Sequence, residues 1–373
     1  MQIVVAADSF KGSLSAREVC ETIKRALIAE IDQAQVTAVP MADGGEGTLD
    51  ALMYATGGEV RDIIVHGPLL QPVTAQYGIV KPNTVVIEVA KIVGLPMVPA
   101  ERRNPLHASS YGVGEAIRIT LDQGYRRFLI GLGGSATNDG GLGMLQALGA
   151  VFLNANDKPV QPTAASLSQI VKVDFDTIDS RLNECEIVIA HDVTNPLCGN
   201  NGCTLVFGPQ KGATKEQIDL LELGMRNYAH CIEKGLGRAF QHQPGAGAAG
   251  GLGFAFLAIG AKMMIGAKLI SDRVGLEKKI VDADWVITGE GKTDFQTYAG
   301  KLPIYVAKLA QKHGAKALLL SGSIAEGYER LYDYFVSLHS IIRRPMTLEQ
   351  AMKDAEQLVF AAARDLARLI NTK

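Results

Sequence analysis

No sign of charge dominates this chain, its cysteines form no paired motif, and its apolar runs are interrupted. The formal net charge of -2 leaves no basic excess to favour nucleic acid or an anionic membrane, so any attraction for phosphates has to be local. Five cysteines (Cys20, Cys185, Cys198, Cys203, Cys231) are an odd number without a CxxC pair. Cys198, Cys203 and His191 lie close in sequence but lack the second ligand pair of a zinc site. The longest apolar stretch, residues 251–270, carries Lys262, Lys268 and several glycines, which fits a buried glycine-rich helix better than a membrane span. The opening "MQIVVAADSF" has no basic flank ahead of an apolar segment. A cytoplasmic protein with free thiols is expected.

Hydrophobic residues at 47% supply ample core, and 373 residues allow two or three domains at about 150 each. The first 60 residues read strand, helix, strand: "QIVVAA", "SAREVCETIKRALIAEI" with Ser13 or Ser15 as N-cap, and "AQVTAVPMA". The chain end repeats that grammar with "DADWVITG", "KLPIYVAKLAQKHG", "AKALLLSGS" and a long amphipathic helix. Alternating strands and helices imply a parallel sheet with helices on both faces. Between them, "EVRDIIVHG", "VTAQYGIV" and "TVVIEVA" are short alternating strands suited to antiparallel pairing. The reading is an α/β protein in which a second α/β domain with a mixed sheet, residues 61–254, is inserted into a first made of 1–60 and 255–373.

Four glycine-rich turns compete to hold phosphates. "IGLGGSA" (130–136) follows a strand, and Gly131-x-Gly133-x-x-Ala136 fits a dinucleotide fingerprint; it also resembles the Gly-Ser-Ser-Ala loop of small-molecule kinases related to galactokinase and homoserine kinase. On either reading the N–H groups of 133–137 would face an anion. "GAGAAG" (245–250) has no strand before it, and "GEGKTD" (289–294) has Val286 where a P-loop needs glycine. The latter is instead a strand end presenting Glu290, Lys292, Thr293 and Asp294. "MADGGEGT" (41–48) presents Asp43 and Glu46, with Thr48 placed to cap the next helix. "AADSFKGSLS" places Asp8, Ser9, Lys11 and Ser13 after the first strand, and "VIAHDVTNPLCG" places His191, Asp192, Thr194 and Asn195 after another. Carboxylates, hydroxyls and lysines at several strand ends are the mixture phosphoryl transfer needs. A nicotinamide-dependent oxidoreductase using the 130–136 turn and a non-catalytic metabolite-binding protein are the alternatives.

"DSFKGSLSA", "ADGGEGT", "GLGGSATNDGG" and "TGEGKTD", in this order, resemble the bacterial type-1 glycerate kinase family from residue 1 to about 370. Ala7 stands where members often have proline before the first motif. The resemblance implies ATP-dependent phosphorylation of D-glycerate with Mg²⁺, a flavodoxin-like domain plus a distinct α/β insert, and an active site in the cleft between them. It implies 2-phosphoglycerate as the product of this branch, with 3-phosphoglycerate or another small hydroxy acid as alternatives, and a homodimer or monomer with no nucleic-acid or membrane partner. Carried over residue by residue, Lys11 meets a phosphate or the substrate carboxylate, helped by Ser9 and Ser13. Asp43 and Glu46 face the acceptor's hydroxyls or Mg²⁺, with Asn138 on the substrate side. Gly133, Gly134, Ser135, Thr137 and Lys292 bind phosphates. Asp192 is the expected catalytic base, and Asp294, with Glu290, the metal ligand, although the two aspartates could exchange roles. Arg102 and Arg103 could pair with a carboxylate substrate, solvation being the plainer reading.

Overall fold

The structure, a computed structural model, describes residues 1–298 and 301–372. Among the described residues the strands are β1 (Gln2–Val5), β2 (Gln35–Ala38), β3 (Glu59–His66), β4 (Pro72–Val80), β5 (Thr84–Glu88), β6 (Arg127–Gly131), β7 (Val151–Leu153), β8 (Lys172–Asp174), β9 (Glu186–His191), β10 (Lys262–Ile265), β11 (Trp285–Thr293), β12 (Lys316–Ile324) and β13 (Ser337–Ser340). The chain divides into two units. One is Met1–Asp43, Asp50–Gly57 and Ala267–Lys373; the other is Gly44–Leu49 and Gly58–Gly266.

The first unit is built on a five-stranded parallel sheet in the order β13-β12-β11-β1-β2. Numbered along the chain within that sheet, this is the flavodoxin-like order 2-1-3-4-5, whose direction reverses between β1 and β11. Alternation along the strands puts Ile3, Val5, Ile287, Leu318 and Leu320 on one face. There they meet Val19, Ile23 and Leu27 of the helix Ala16–Glu30 and Val359, Ala363 and Leu366 of the helix Ala355–Ile370. Burying each such Ile or Leu fully is worth about 1.5–3 kcal/mol relative to exposure. The helix Leu302–Lys312 packs on β11 and β12 outside that cluster. Ser15 caps the first helix: its hydroxyl accepts from the Glu18 N–H, and the Glu18 carboxylate accepts from the Ser15 N–H, which holds the turn after β1 in register.

The second unit holds a six-stranded mixed sheet in the order β10-β9-β6-β5-β4-β3. Strands β10, β9, β6 and β5 run parallel, and β5-β4-β3 is an antiparallel meander, as the short alternating strands required. A separate antiparallel pair joins β7 and β8. The core is aliphatic, with Phe128, Phe152, Tyr228 and Phe254 among the largest buried side chains. The apolar run 251–270 is not one helix. A helix ends at Ala258, Gly260 takes φ +87°, and residues 262–265 become β10 beside β9 before a new helix begins at Gly266. The left-handed glycine supplies the helix stop that the composition concealed.

Candidate active site

Parallel sheets bind ligands beyond the carboxyl ends of their strands, where the strand order reverses. In the first unit that point lies between the ends of β1 and β11. Asp8 and Ser9 follow β1, and Glu290, Lys292 and Thr293 lie on the last residues of β11. Asp8 is fixed there by its N–H, which donates to Gly289 O at 2.9 Å, and its Oδ1 accepts from the Ser9 N–H at 2.6 Å. Asp8, Asp43 and Glu290 are all buried. Burial pushes the Asp8 carboxyl well up from its ordinary range, the negative charge of Asp43 pushes it further, and Lys11 pulls it back. Glu290 is raised by burial too, moderated by hydroxyls that donate to it. Thr297 donates to Glu290 Oε1 at 2.6 Å and Thr293 at 2.9 Å. The Thr293 proton being committed to Glu290, the Ser321 hydroxyl is the donor in the Thr293–Ser321 contact. Thr297 in turn accepts from the Asp294 N–H at 3.2 Å. This chain of hydroxyls holds Glu290 and the Asp294 backbone in one geometry. Lys292 Nζ stands 3.6 Å from Asp294 Oδ2 and is exposed. Lys11 is exposed, Ser13 donates to Phe10 O at 2.8 Å, and the buried Ser9 Oγ has no partner among the described residues.

In the second unit the glycines of "DGGEG" make close backbone approach possible. A methyl group on Gly44 would meet Ala190 C at 2.7 Å, and one on Gly133 would meet Gly45 Cα at 2.3 Å. The backbone at 44–45 therefore lies directly over the ends of β6 and β9, with the Gly133 N–H donating to Gly44 O at 3.2 Å. Buried Glu88, at the end of β5, accepts from the N–H of Gly47 at 3.2 Å and of Leu49 at 3.0 Å. The Thr48 hydroxyl donates to Gly45 O instead of capping the helix Thr48–Thr56, so the capping carboxylate comes from Glu88. Glu46 is exposed on this turn.

The 133–138 turn is only partly available to a ligand through its backbone, because the N–H groups of Gly133 and Ala136 already donate to Gly44 O and Val93 O. Gly134 has φ +76°. Ser135 Oγ and Thr137 O accept from Lys211 Nζ at 3.1 and 2.6 Å. Asn138 donates to Thr204 Oγ1 at 2.9 Å, while its Oδ1 and the Thr137 hydroxyl are buried without partners among the described residues. Asp139 is turned inward, accepting from the Ser110 N–H and hydroxyl and from the N–H of Gly141 and Gly143. Glycines 250 and 251, both left-handed, support the turn from beneath: Gly250 O accepts from the Gly140 N–H at 3.0 Å. That support is the use the "GAGAAG" segment finds.

The anticipated residues thus divide between the units. Ser9, Lys11, Ser13, Asp43, Glu290, Lys292 and Asp294 belong to the first, and Glu46, Gly133, Gly134, Ser135, Thr137, Asn138 and Asp192 to the second. Asp192 is exposed just past β9. Burial makes its neighbour His191 harder to protonate, and its Nδ1 lies 2.7 Å from Val193 O. Asp8, Glu88 and Lys211 were not singled out for a role. Asp8 carried a usable signal, its place at a strand's carboxyl end. Glu88 carried the same one, masked because "VVIEVA" reads as continuous strand. Lys211 carried none.

The comparisons with known proteins agree with this architecture. Residues 3–371 match the model of the glycerate kinase family. The chain is 43% identical to a glycerate kinase of Bacillus subtilis (strain 168), covering 99% of this chain and 98% of that one. It is 42% identical to a glycerate 2-kinase of Escherichia coli (strain K12), over 98% and 97% of the two chains. The crystal structure of a candidate glycerate kinase 2 from Salmonella typhimurium LT2 superposes with a TM-score of 0.84 at 41% identity, covering 99% and 98%. With a flavodoxin-like sheet, a mixed second sheet and the four motifs in place over nearly the whole length, this chain is a kinase that belongs to the glycerate kinase family.

Proposed function

We propose that the chain transfers the γ-phosphoryl group of ATP to the 2-hydroxyl of D-glycerate, giving 2-phosphoglycerate and ADP, with Mg²⁺ as the metal. Its family and the Escherichia coli relative, named a glycerate 2-kinase, support the acceptor and the position. The observation that carries the reading is the buried set Asp8, Asp43 and Glu290 at the switch point of a parallel sheet, with Lys11 acting on it. Repelling carboxylates are retained in a buried corner when they have hydroxyls or a cation to hold. In this reading Asp8 accepts the proton of the reacting hydroxyl, and Asp43 orients the acceptor beside it. Asp192, which is exposed, is the competing base. Lys11, Lys292 and the Gly133–Gly134–Ser135 turn with Thr137 meet phosphate oxygens, and Ser9, Ser13, Glu46 and Asn138 are read as substrate contacts.

Glu290 and Asp294 are the residues that would hold Mg²⁺. Among the described residues no group of three or more His, Cys, Asp or Glu is set to enclose a metal. That suits Mg²⁺, which binds through one or two carboxylates and completes its shell with water and substrate phosphates. When bound, the ion offsets the negative charge of the phosphates. Among the described residues no helix is long and apolar enough to cross a membrane, and the reaction is assigned to the cytoplasm. The two units are read as two domains, the second inserted in the first. ADP release with ATP and Mg²⁺, measured with D-glycerate and with L-glycerate, tests the proposal. Turnover restricted to D-glycerate is expected; turnover only with a different hydroxy acid, or none, would overturn the assigned acceptor.

A further inference from the structure

Lys211 lies on a short turn, Pro209–Lys211, that closes at Gly212 with φ +92°. It is only 4% exposed, so an ammonium group has been taken out of water. Its hydrogen-bond partners are neutral: Ser135 Oγ at 3.1 Å and Thr137 O at 2.6 Å. An ammonium has three donors, so one remains after these two. No carboxylate among the described residues lies within ion-pair distance of Lys211, and Asp139 acts on it only from farther off. A buried charge without a counter-charge is costly, and a structure keeps one where a ligand brings the opposite sign. Lys211 also lines a narrow slot together with Arg103, Asn104, Leu95, Val98 and Ala136. Arg103 Nε donates to Val98 O at 3.2 Å, which anchors that guanidinium on the wall of the slot. The Thr137 hydroxyl, buried without a partner among the described residues on the same turn that Lys211 binds, has a donor to give. The third ammonium donor of Lys211, the Thr137 hydroxyl and the Arg103 guanidinium are the groups that would meet an oxyanion, and the slot, too tight here for a water, would open to admit it.

We propose that Lys211, with Arg103, binds an oxyanion of a reactant at the Ser135–Thr137 turn: the carboxylate of the acid or a phosphate of the nucleotide. The inference rests on the kinase reading above and adds to it a binding residue on no recognised motif. Burial brings the Lys211 ammonium down to about 8, with Cys203 and Asp139 opposing that shift. Cys203, itself pushed up to about 11, stays neutral near pH 8. The site therefore loses its Lys211 charge as pH rises through about 8, and oxyanion binding should weaken by about ten-fold per pH unit above it.

The test is calorimetric binding of D-glycerate and, separately, of ADP to the full chain, for the wild type and for Lys211→Met and Arg103→Gln. The dissociation constant of one of the two should rise at least about ten-fold in Lys211→Met and also rise in Arg103→Gln. The same constant should climb in the wild type between pH 7 and pH 9.5. If the affected reactant is D-glycerate the oxyanion is its carboxylate; if ADP, it is a phosphate. Binding of both within about two-fold of wild type in a folded Lys211→Met, equal loss of both, or a fall in kcat alone would each overturn the inference, the last by showing that the lysine only holds the turn. Should Lys211→Met not fold, the wild-type pH series and Arg103→Gln decide, and a flat series would overturn it. Failure of the kinase reading shows up separately, as a wild type that never turns over D-glycerate.

Discussion

Asp8 bears the repulsion of a corner where Asp43 and Glu290 are buried with it. A carboxyl raised by burial and like charge penalises the folded state once ionised. Below the unfolded value near 3.8 both states are protonated and the penalty vanishes; it grows as pH rises from there towards the raised folded value. Asp8→Asn should therefore unfold at a higher temperature than wild type at pH 7, by about 1 kcal/mol in stability, with the difference closing towards pH 4. The same substitution should lower kcat by about 10²–10⁴-fold, as loss of a proton acceptor does. Steady-state kinetics beside Asp192→Asn settles the assignment. Near-normal kcat in Asp8→Asn with collapse in Asp192→Asn would move the base to Asp192. Asp294→Asn should mainly raise the Mg²⁺ concentration needed for half-maximal rate, read from a metal titration.

At the scale of elements, the turns depend on glycine where backbones cross. A methyl group on Gly250 would meet Thr137 O at 2.0 Å, and the residue has φ +70°. Gly250→Ala should cost roughly 2–4 kcal/mol and displace the 137–140 turn, lowering activity with stability. Gly235, in the helix Lys215–Leu236, has open space where a methyl would go, so Gly235→Ala should be neutral or stabilising by about 0.5–1 kcal/mol. Thermal melts of the pair separate strain from a general intolerance of substitution. The elements that sequence reasoning located well are those with local grammar: Ser15, ahead of the apolar-periodic run, announces a helix start by side-chain spacing alone. The elements it missed depend on distant partners. Residues 262–265 become a strand because β9 is beside them, and Glu88 is a cap only because the chain returns from residue 47.

For the whole molecule, four motifs at strand ends were enough to reach the family and the α/β architecture. The motifs point to the loops proposed to meet a ligand, but not to how far each side chain is buried, and burial is what separates Asp8 and Lys211 from exposed Asp192 and Lys11. Metal dependence belongs at this scale too. Chelation with EDTA should abolish turnover while leaving circular dichroism and the melting temperature unchanged, since the proposed Mg²⁺ would be held by one or two carboxylates together with water and substrate phosphates. Added Mg²⁺ should restore the rate. A melting temperature that falls with EDTA would point to a structural ion.

The most direct test is phosphorus NMR of the product formed from D-glycerate, ATP and Mg²⁺. The account predicts ADP and a single new phosphomonoester on the 2-hydroxyl. A signal from 3-phosphoglycerate would contradict the assigned position, and the absence of any new phosphomonoester would contradict glycerate kinase activity itself.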